Sequence, residues 1–591
     1  MTTQAERMGR LVGLVGVAVG LALGLVSGTV SVPAAQAQPP AGKGPAFELV
    51  GASVCQNCHG KEFPEKENEF KQTLGFEFVR LWENLVWEKH DLHSQAYKNL
   101  ATADTKAELE AEINPIAAVM EANLRRTSRG AKYTVATDTW CLACHASAKA
   151  PPSYELVSGW SAAEHFNTDT KDGVGCEMCH GHGSAYRDPH QLSKLDKKNA
   201  PPGAIRSVAW REWDPVEKKA KEFGLVNLRD GAVATAKCAS CHVGNRAEGR
   251  FVTHEMYAAG HPPLPPMDLI AYSREQPRHW GLPSQMPYLL GLAERDPEKA
   301  WKVFHVRAGE SAVTRRFAES AVATLEANLD LTGQLADAAG PAGGLDFAAF
   351  DCYACHHDLK YPSDRQARGY LGPPGRPLFR PAPFALARVV ADHAATLKGG
   401  AALAGRGDKL FEVEKSLAKA FGAKTFGDPA LIKSAVAEGK KQARETLGVL
   451  QTVVYDPAAR DTLLAAVVAA AAREPDPKEA AAGRVAVSDP ESAQLYAWAF
   501  ESLARDRAGQ PSPKALLEPP PKAVTDLRAK LAGKVVTQLR PNANFDGEVT
   551  PTTPVPAPSM LAVSGRIHDR MRTFNAFEGK PFREAFALPK K

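Results

Sequence analysis

The stretch GVGCEMCHGHGSAYRDPH (173–190) sets two cysteines three residues apart, a histidine directly after the second, and two more histidines close behind. A zinc site, a redox dithiol and a porphyrin joined through thioethers would all use such a grouping. The same grouping recurs along the chain. It reads VCQNCH (Cys55, Cys58, His59), WCLACH (Cys141, Cys144, His145), GCEMCH (Cys176, Cys179, His180), KCASCH (Cys238, Cys241, His242) and DCYACH (Cys352, Cys355, His356). These motifs use all ten cysteines of the chain. Its composition would produce only about 0.005 of them by chance.

Structural zinc takes four ligands, commonly from two C-x-x-C pairs or from Cys with His. Five C-x-x-C units do not pair off, and zinc gives no reason for a histidine after each one. A thioredoxin-like dithiol accounts for one such unit, not five. Covalent haem accounts for all of them. Two thiols on one turn of backbone reach the two vinyl groups on one edge of the porphyrin, and the next residue turns its imidazole to the iron. The expected cofactors are therefore five c-type haems. The ten cysteines hold them, and His59, His145, His180, His242 and His356 are the proximal iron ligands. The residues between the cysteines are expected to vary freely.

A six-coordinate haem needs a second axial ligand, Met or His. Of the 17 histidines, twelve lie outside the motifs: His90, His93, His165, His182, His190, His254, His261, His279, His305, His357, His393 and His568. All but His568 fall between 90 and 393, among the motifs, which favours bis-His iron. In FVTHEMYAAGHPPLPP (251–266), His254 and His261 are seven apart, two turns along one helix face, with Pro262 and Pro263 ending the helix. Each is expected to serve haem four or five. Met256 and Met267 are further candidates near haem four. His357 is too close to His356 to reach the same iron, His305 reads as a packing residue beside Trp301 and Phe304, and His568 is set aside.

VGASVCQNCHGKEF, WEKHDLHSQA (87–96) and GVGCEMCHGHGSAYRDPH followed by CASCH resemble the multihaem cytochrome c-554 family, over about residues 49–242. The resemblance implies haems packed in close pairs within a mostly helical shell. It also implies distal ligand roles for His93 and His190, and an open iron position at the second motif (Cys141, Cys144, His145). The chain departs from the family in its fifth motif, in His182 where a proline is usual, and in its long C-terminal region.

The N-terminus reads as an export signal over 1–37. Arg7 and Arg10 precede an apolar run, and Ala35-Gln36-Ala37 offers a cleavage site. If retained, the run would be a membrane anchor. Either way the rest is expected to be exported to the periplasm. A tether (38–48) leads to a pentahaem domain (49–380), whose motifs are 86, 35, 62 and 114 residues apart. Sparse helices and irregular loops are expected around the haems, because so many Pro and Gly residues disfavour a large sheet. The stretch 296–329 reads as one long helix capped by Asp296. A helical bundle follows (381–540), in which LFEVEKSLAKAF and three Asp-Pro starts mark four Ala-rich helices. The Ala run at 469–472 fits close helix packing. A Pro-rich linker and tail (541–591) close the chain. The expected fold class is mainly α.

The formal charge of +5 is small for 591 residues and excludes a nucleic-acid binder on electrostatic grounds. Ten propionates would bring the haem-loaded protein near neutrality. The sequence favours an electron carrier between redox partner proteins over a catalyst. The first alternative is an oxidoreductase acting on a small nitrogen or sulfur species at a five-coordinate second haem, with His182 or Tyr186 as an acid–base neighbour. The other is a haem subunit of a membrane-associated respiratory complex.

Overall fold

The computed structural model describes residues 47–60, 81–149, 166–168, 171–191, 216–281, 287–339, 344–357, 371–373, 375–476, 486–509, 522–532 and 577–587. The expected signal peptide, His165, His568 and most of the C-terminal tail lie outside them. The fold is mainly α, as expected. No described residue lies in an extended strand; isolated bridges pair Ala148 with Phe166, Asn245 with Arg250, and Phe350 with Phe379. No described helix is long and apolar enough to cross a membrane.

Local sequence chemistry sets the helix starts. Asp428, Asp456 and Asp489 each accept backbone N–H bonds at the head of Pro429–Leu450, Pro457–Ala471 and Pro490–Arg507, with proline in the first turn. Arg406–Ala423 and Ala382–Ala395 complete a bundle around the fully buried Trp498, Phe421 and Tyr455. Ala470 and Ala471 are buried in that core, as close packing requires.

The predicted helix over 296–329 is two helices. Asp296 caps Pro297–Phe304, but His305 turns left-handed at φ 53° and ends it. Ser311 then caps a second helix, Ala312–Ala338. A buried ionic group explains the break. Arg315 donates to Glu310 (3.1 Å), to Glu319 (3.0 Å) and to the His305 carbonyl (3.0 Å), so the corner carbonyl is satisfied by a side chain from the next helix. His305 itself stacks on Trp301 at 4.8 Å, the packing role expected of it.

Among the described residues the two largest apolar clusters lie at different motifs. One gathers Tyr97, Leu100, Met120, Leu142, Met178 and Met256 around the second and third motifs. The other runs from Ala232 and Phe251 through the long helix Ala312–Ala338 into the bundle, and includes Phe350 beside the fifth motif. The helix carrying the fourth motif, Gly231–His242, lies directly on the long helix. A Cβ at position 231 would come within 3.0 Å of the Arg316 Cα, so glycine permits the approach. The Gly231 N–H donates to Glu319 at 2.8 Å.

The bundle core carries a pH-sensitive group. Burial raises the Glu414 carboxyl to about 7 despite Arg388 Nη1 at 3.2 Å. An acid whose folded pKa is raised stabilises the fold below its unfolded pKa, and that contribution is lost as pH rises through about 7. The melting temperature should therefore fall between about pH 5 and pH 8, and Glu414→Gln should flatten that fall. A variant with the wild-type slope would remove Glu414 as the source.

Candidate functional site

The first four motifs sit at helix C-termini. Ala52–His59, Thr139–His145, Cys176–His180 and Gly231–His242 each end on the motif histidine, while the fifth occupies a single 3₁₀ turn, Cys352–Ala354. Asp138, Asp230 and Asp351 cap the second, fourth and fifth from the residue before the element. None of the ten cysteines is paired in a disulfide.

Four of the five motif histidines meet the ring of a histidine from elsewhere in the chain. The ring centroids of His59 and His190 are 6.3 Å apart, those of His93 and His242 6.1 Å, those of His180 and His279 6.4 Å, and those of His254 and His356 6.3 Å. His145 makes no ring contact of this kind among the described residues. The histidine alongside it is His261, which desolvation and the neighbouring His145 lower to about 4.

Six of these ten rings are held through Nδ1. His59 Nδ1 bonds Glu83 at 3.0 Å and His93 Nδ1 bonds Asp91 at 2.9 Å. His145, His190, His261 and His279 use backbone carbonyls of Ala96 (2.9 Å), Tyr186 (2.9 Å), Pro262 (2.8 Å) and Pro277 (3.3 Å). A carbonyl only accepts, so those rings are protonated on Nδ1 and carry the lone pair on Nε2, the arrangement of a metal-bound imidazole. Desolvation lowers His180 to about 4 and His242 to about 3, keeping both neutral at neutral pH. Other histidines show the opposite pattern. His182 spends Nε2 on the Ala148 carbonyl (3.0 Å) and His393 spends it on Thr462 (2.8 Å).

Two imidazoles bound to opposite sides of one iron place their centroids about 6 Å apart, from metal–nitrogen bonds of about 2 Å. The four measured separations fit. Each pair brings only two ligands, and among the described residues no group of three or more His, Cys, Asp or Glu could hold a metal ion unaided. The donor set therefore suits a metal that arrives with its own four equatorial donors, as haem iron does. Apolar side chains left exposed beside the rings suit its faces. Leu92 (41 %) adjoins His93, and Phe347 (51 %) packs 5.4 Å from His254.

Several expectations need correction. His254 and His261 do not share one helix face. The helix stops at Ala259, and Gly260 at φ 127° turns the chain before His261. His254 faces the fifth motif as expected, but His261 lies by the second, not by the fourth or fifth. Met256 and Met267 are buried in apolar clusters, and the ring opposite His242 is His93. His279 was not singled out from the sequence. Its only signal was membership of the histidine-rich span, because the contact with His180 is a tertiary one. Tyr186 donates to the Gly181 carbonyl (2.8 Å) and packs on His190.

One residue inside a motif has a structural role of its own. Glu177, 1 % exposed, accepts from the backbone N–H of Val50 (2.9 Å), Gly51 (2.8 Å) and Gly183 (2.6 Å), tying the third motif to the start of the first. Cys55 and Cys176 lie close enough to shift one another's acidity, as do Cys144 and Cys241. The first and third motifs thus form one close pair, and the second and fourth another. No family model matches the chain, nor does any curated protein or solved structure.

Glu177→Ala leaves three backbone donors without their carboxylate and should cost about 2–4 kcal/mol of stability in denaturant unfolding. An unfolding midpoint equal to wild type would show that Glu177 does not hold the two motifs together.

Proposed function

We propose that the chain is an exported c-type cytochrome that holds five covalent haems and passes electrons between partner proteins. The observation that carries this reading is the pairing of motif histidines with histidines from distant segments, four pairs lying 6.1–6.4 Å apart. Haem iron, when bound, supplies reversible one-electron transfer. The cysteines fix each porphyrin edge. His59, His145, His180, His242 and His356 are the proximal ligands, and His190, His261, His279, His93 and His254 respectively are the distal ones. The Nδ1 bonds orient the rings and set their basicity. The resemblance to the cytochrome c-554 family agrees with close motif pairs in a helical shell, and the signal-like N-terminus supports export to the periplasm.

A second reading draws on the looser arrangement at His145. If His261 does not ligate there, the second haem is five-coordinate and could bind a small nitrogen or sulfur species. The donor set favours the carrier, because His261 stands beside His145 with its lone pair on Nε2.

Purified mature protein should give a covalent haemochrome spectrum and a mass with five haems added. Its oxidised EPR spectrum should contain only low-spin iron. His279→Ala and His261→Ala should each convert one low-spin haem to high-spin. A mass equal to the bare polypeptide would end the haem reading. A high-spin signal in the wild type that shifts with nitrite, hydroxylamine or nitric oxide would replace the carrier with the enzyme.

A further inference from the structure

Arg250 is 5 % exposed and lies between two motifs. Its Nε donates to the carbonyl of Ala143 at 2.9 Å, and its Nη1 to the hydroxyl of Ser240 at 2.8 Å. Ala143 stands between Cys141 and Cys144, and Ser240 between Cys238 and Cys241. One guanidinium therefore bridges the interiors of the second and fourth motifs, whose Cys144 and Cys241 lie close enough to shift one another's acidity. The chain is built to aim it. Asn245 and Arg250 exchange backbone bonds of 2.6 and 2.9 Å across a tight loop closed by Gly249 at φ 70°. Gln334 of the long helix pins that loop, accepting from the Arg246 N–H at 2.7 Å and donating to Asn245 at 3.1 Å.

The charges around Arg250 are few. Glu248 forms an ion pair with it and is itself held by Asn245 Nδ2 at 2.9 Å. Lys237, beside Cys238, lies within electrostatic reach, and desolvation lowers its pKa. Arg remains charged at any working pH, and its planar fork suits two fixed acceptors better than an ammonium does.

We propose that Arg250 is a positioning residue that locks the second and fourth haem sites into one unit and holds their reduction potentials up together, with Glu248 as the opposing charge. The proposal rests on the haem reading. A cation in a low-dielectric interior favours the reduced haem, which carries one positive charge fewer on iron, and so raises the potential. A carboxylate does the reverse.

The test uses the full mature chain, with haem counted first by haemochrome and mass. Potentials are then resolved by optical redox titration. Arg250→Met should lower two of the five midpoint potentials and leave three in place. Arg250→Lys, which keeps the charge and loses the fork, should hold those two closer to wild type. Glu248→Gln should raise the same two, and it decides the matter alone if Arg250→Met does not mature. A purely structural role would not shift the potentials in opposite directions. Five bound haems with unchanged potentials in Arg250→Met or Glu248→Gln, or all five shifting alike, would overturn the proposal. Absence of covalent haem in the wild type would instead defeat the reading beneath it.

Discussion

The fold is constrained by a need that no single segment meets. Four of the five motif histidines face a second imidazole across roughly 6 Å, and that second ring comes from elsewhere in the chain. His190 returns to His59, His93 reaches forward to His242, and His254 to His356. Long-range returns of this kind explain the short helices around the first three motifs. Length there matters less than the angle at which each helix delivers its last residue. On six of the rings an Nδ1 bond then opposes rotation, and His59 and His190 are held this way on both sides of one pair.

Buried charged side chains that link one motif to another carry the next level of order. Glu177 holds the entry to the first motif from inside the third, and Arg250 holds the second and fourth from between them. Both use charged groups on backbone or hydroxyl partners in the interior, where such bonds are strong and their loss costly. On the proposed haem reading, the nearness of Cys55 to Cys176 and of Cys144 to Cys241 would bring the haems of each pair close together. Little room then remains for an ordinary apolar core, and the modest cluster around Tyr97, Leu142 and Met178 agrees with that.

How much of this could be read from the sequence follows from the range of the forces involved. Asp428, Asp456 and Asp489, each followed by proline, announced three helix starts that the structure contains, because a cap and a fixed φ act within one turn. The five motifs were legible for the same reason. The break at His305 was not, since it depends on Arg315 reaching back to a carbonyl. The site of His261 was misread because the helical spacing from His254 gave no hint that Gly260 would turn the chain. His279 had no local signature at all. What chooses it is Pro277 on its Nδ1 and His180 across from it, both products of the folded chain.

Five sites built on one motif need not be equivalent, and the partners of the rings give a physical basis for their differing. His59 and His93 donate to carboxylates, whereas His145, His190, His261 and His279 donate to carbonyls. Burial works against the charge of Asp91, yet the adjacent His93 lowers its pKa to about 2, so it stays ionised. An ionised acceptor makes an imidazole a stronger donor to iron and favours the oxidised state. On the haem reading this lowers the potential at the first and fourth sites, while the Arg250 cation acts in the opposite sense on the fourth and second. The fourth site, rooted through Gly231 on the long helix, is therefore where both influences meet the second apolar core. That core continues from the fourth motif to the fifth and on through the bundle. The cysteine-free C-terminal helices thereby share a packing interior with the last two sites, which gives them a structural part in holding those sites in place.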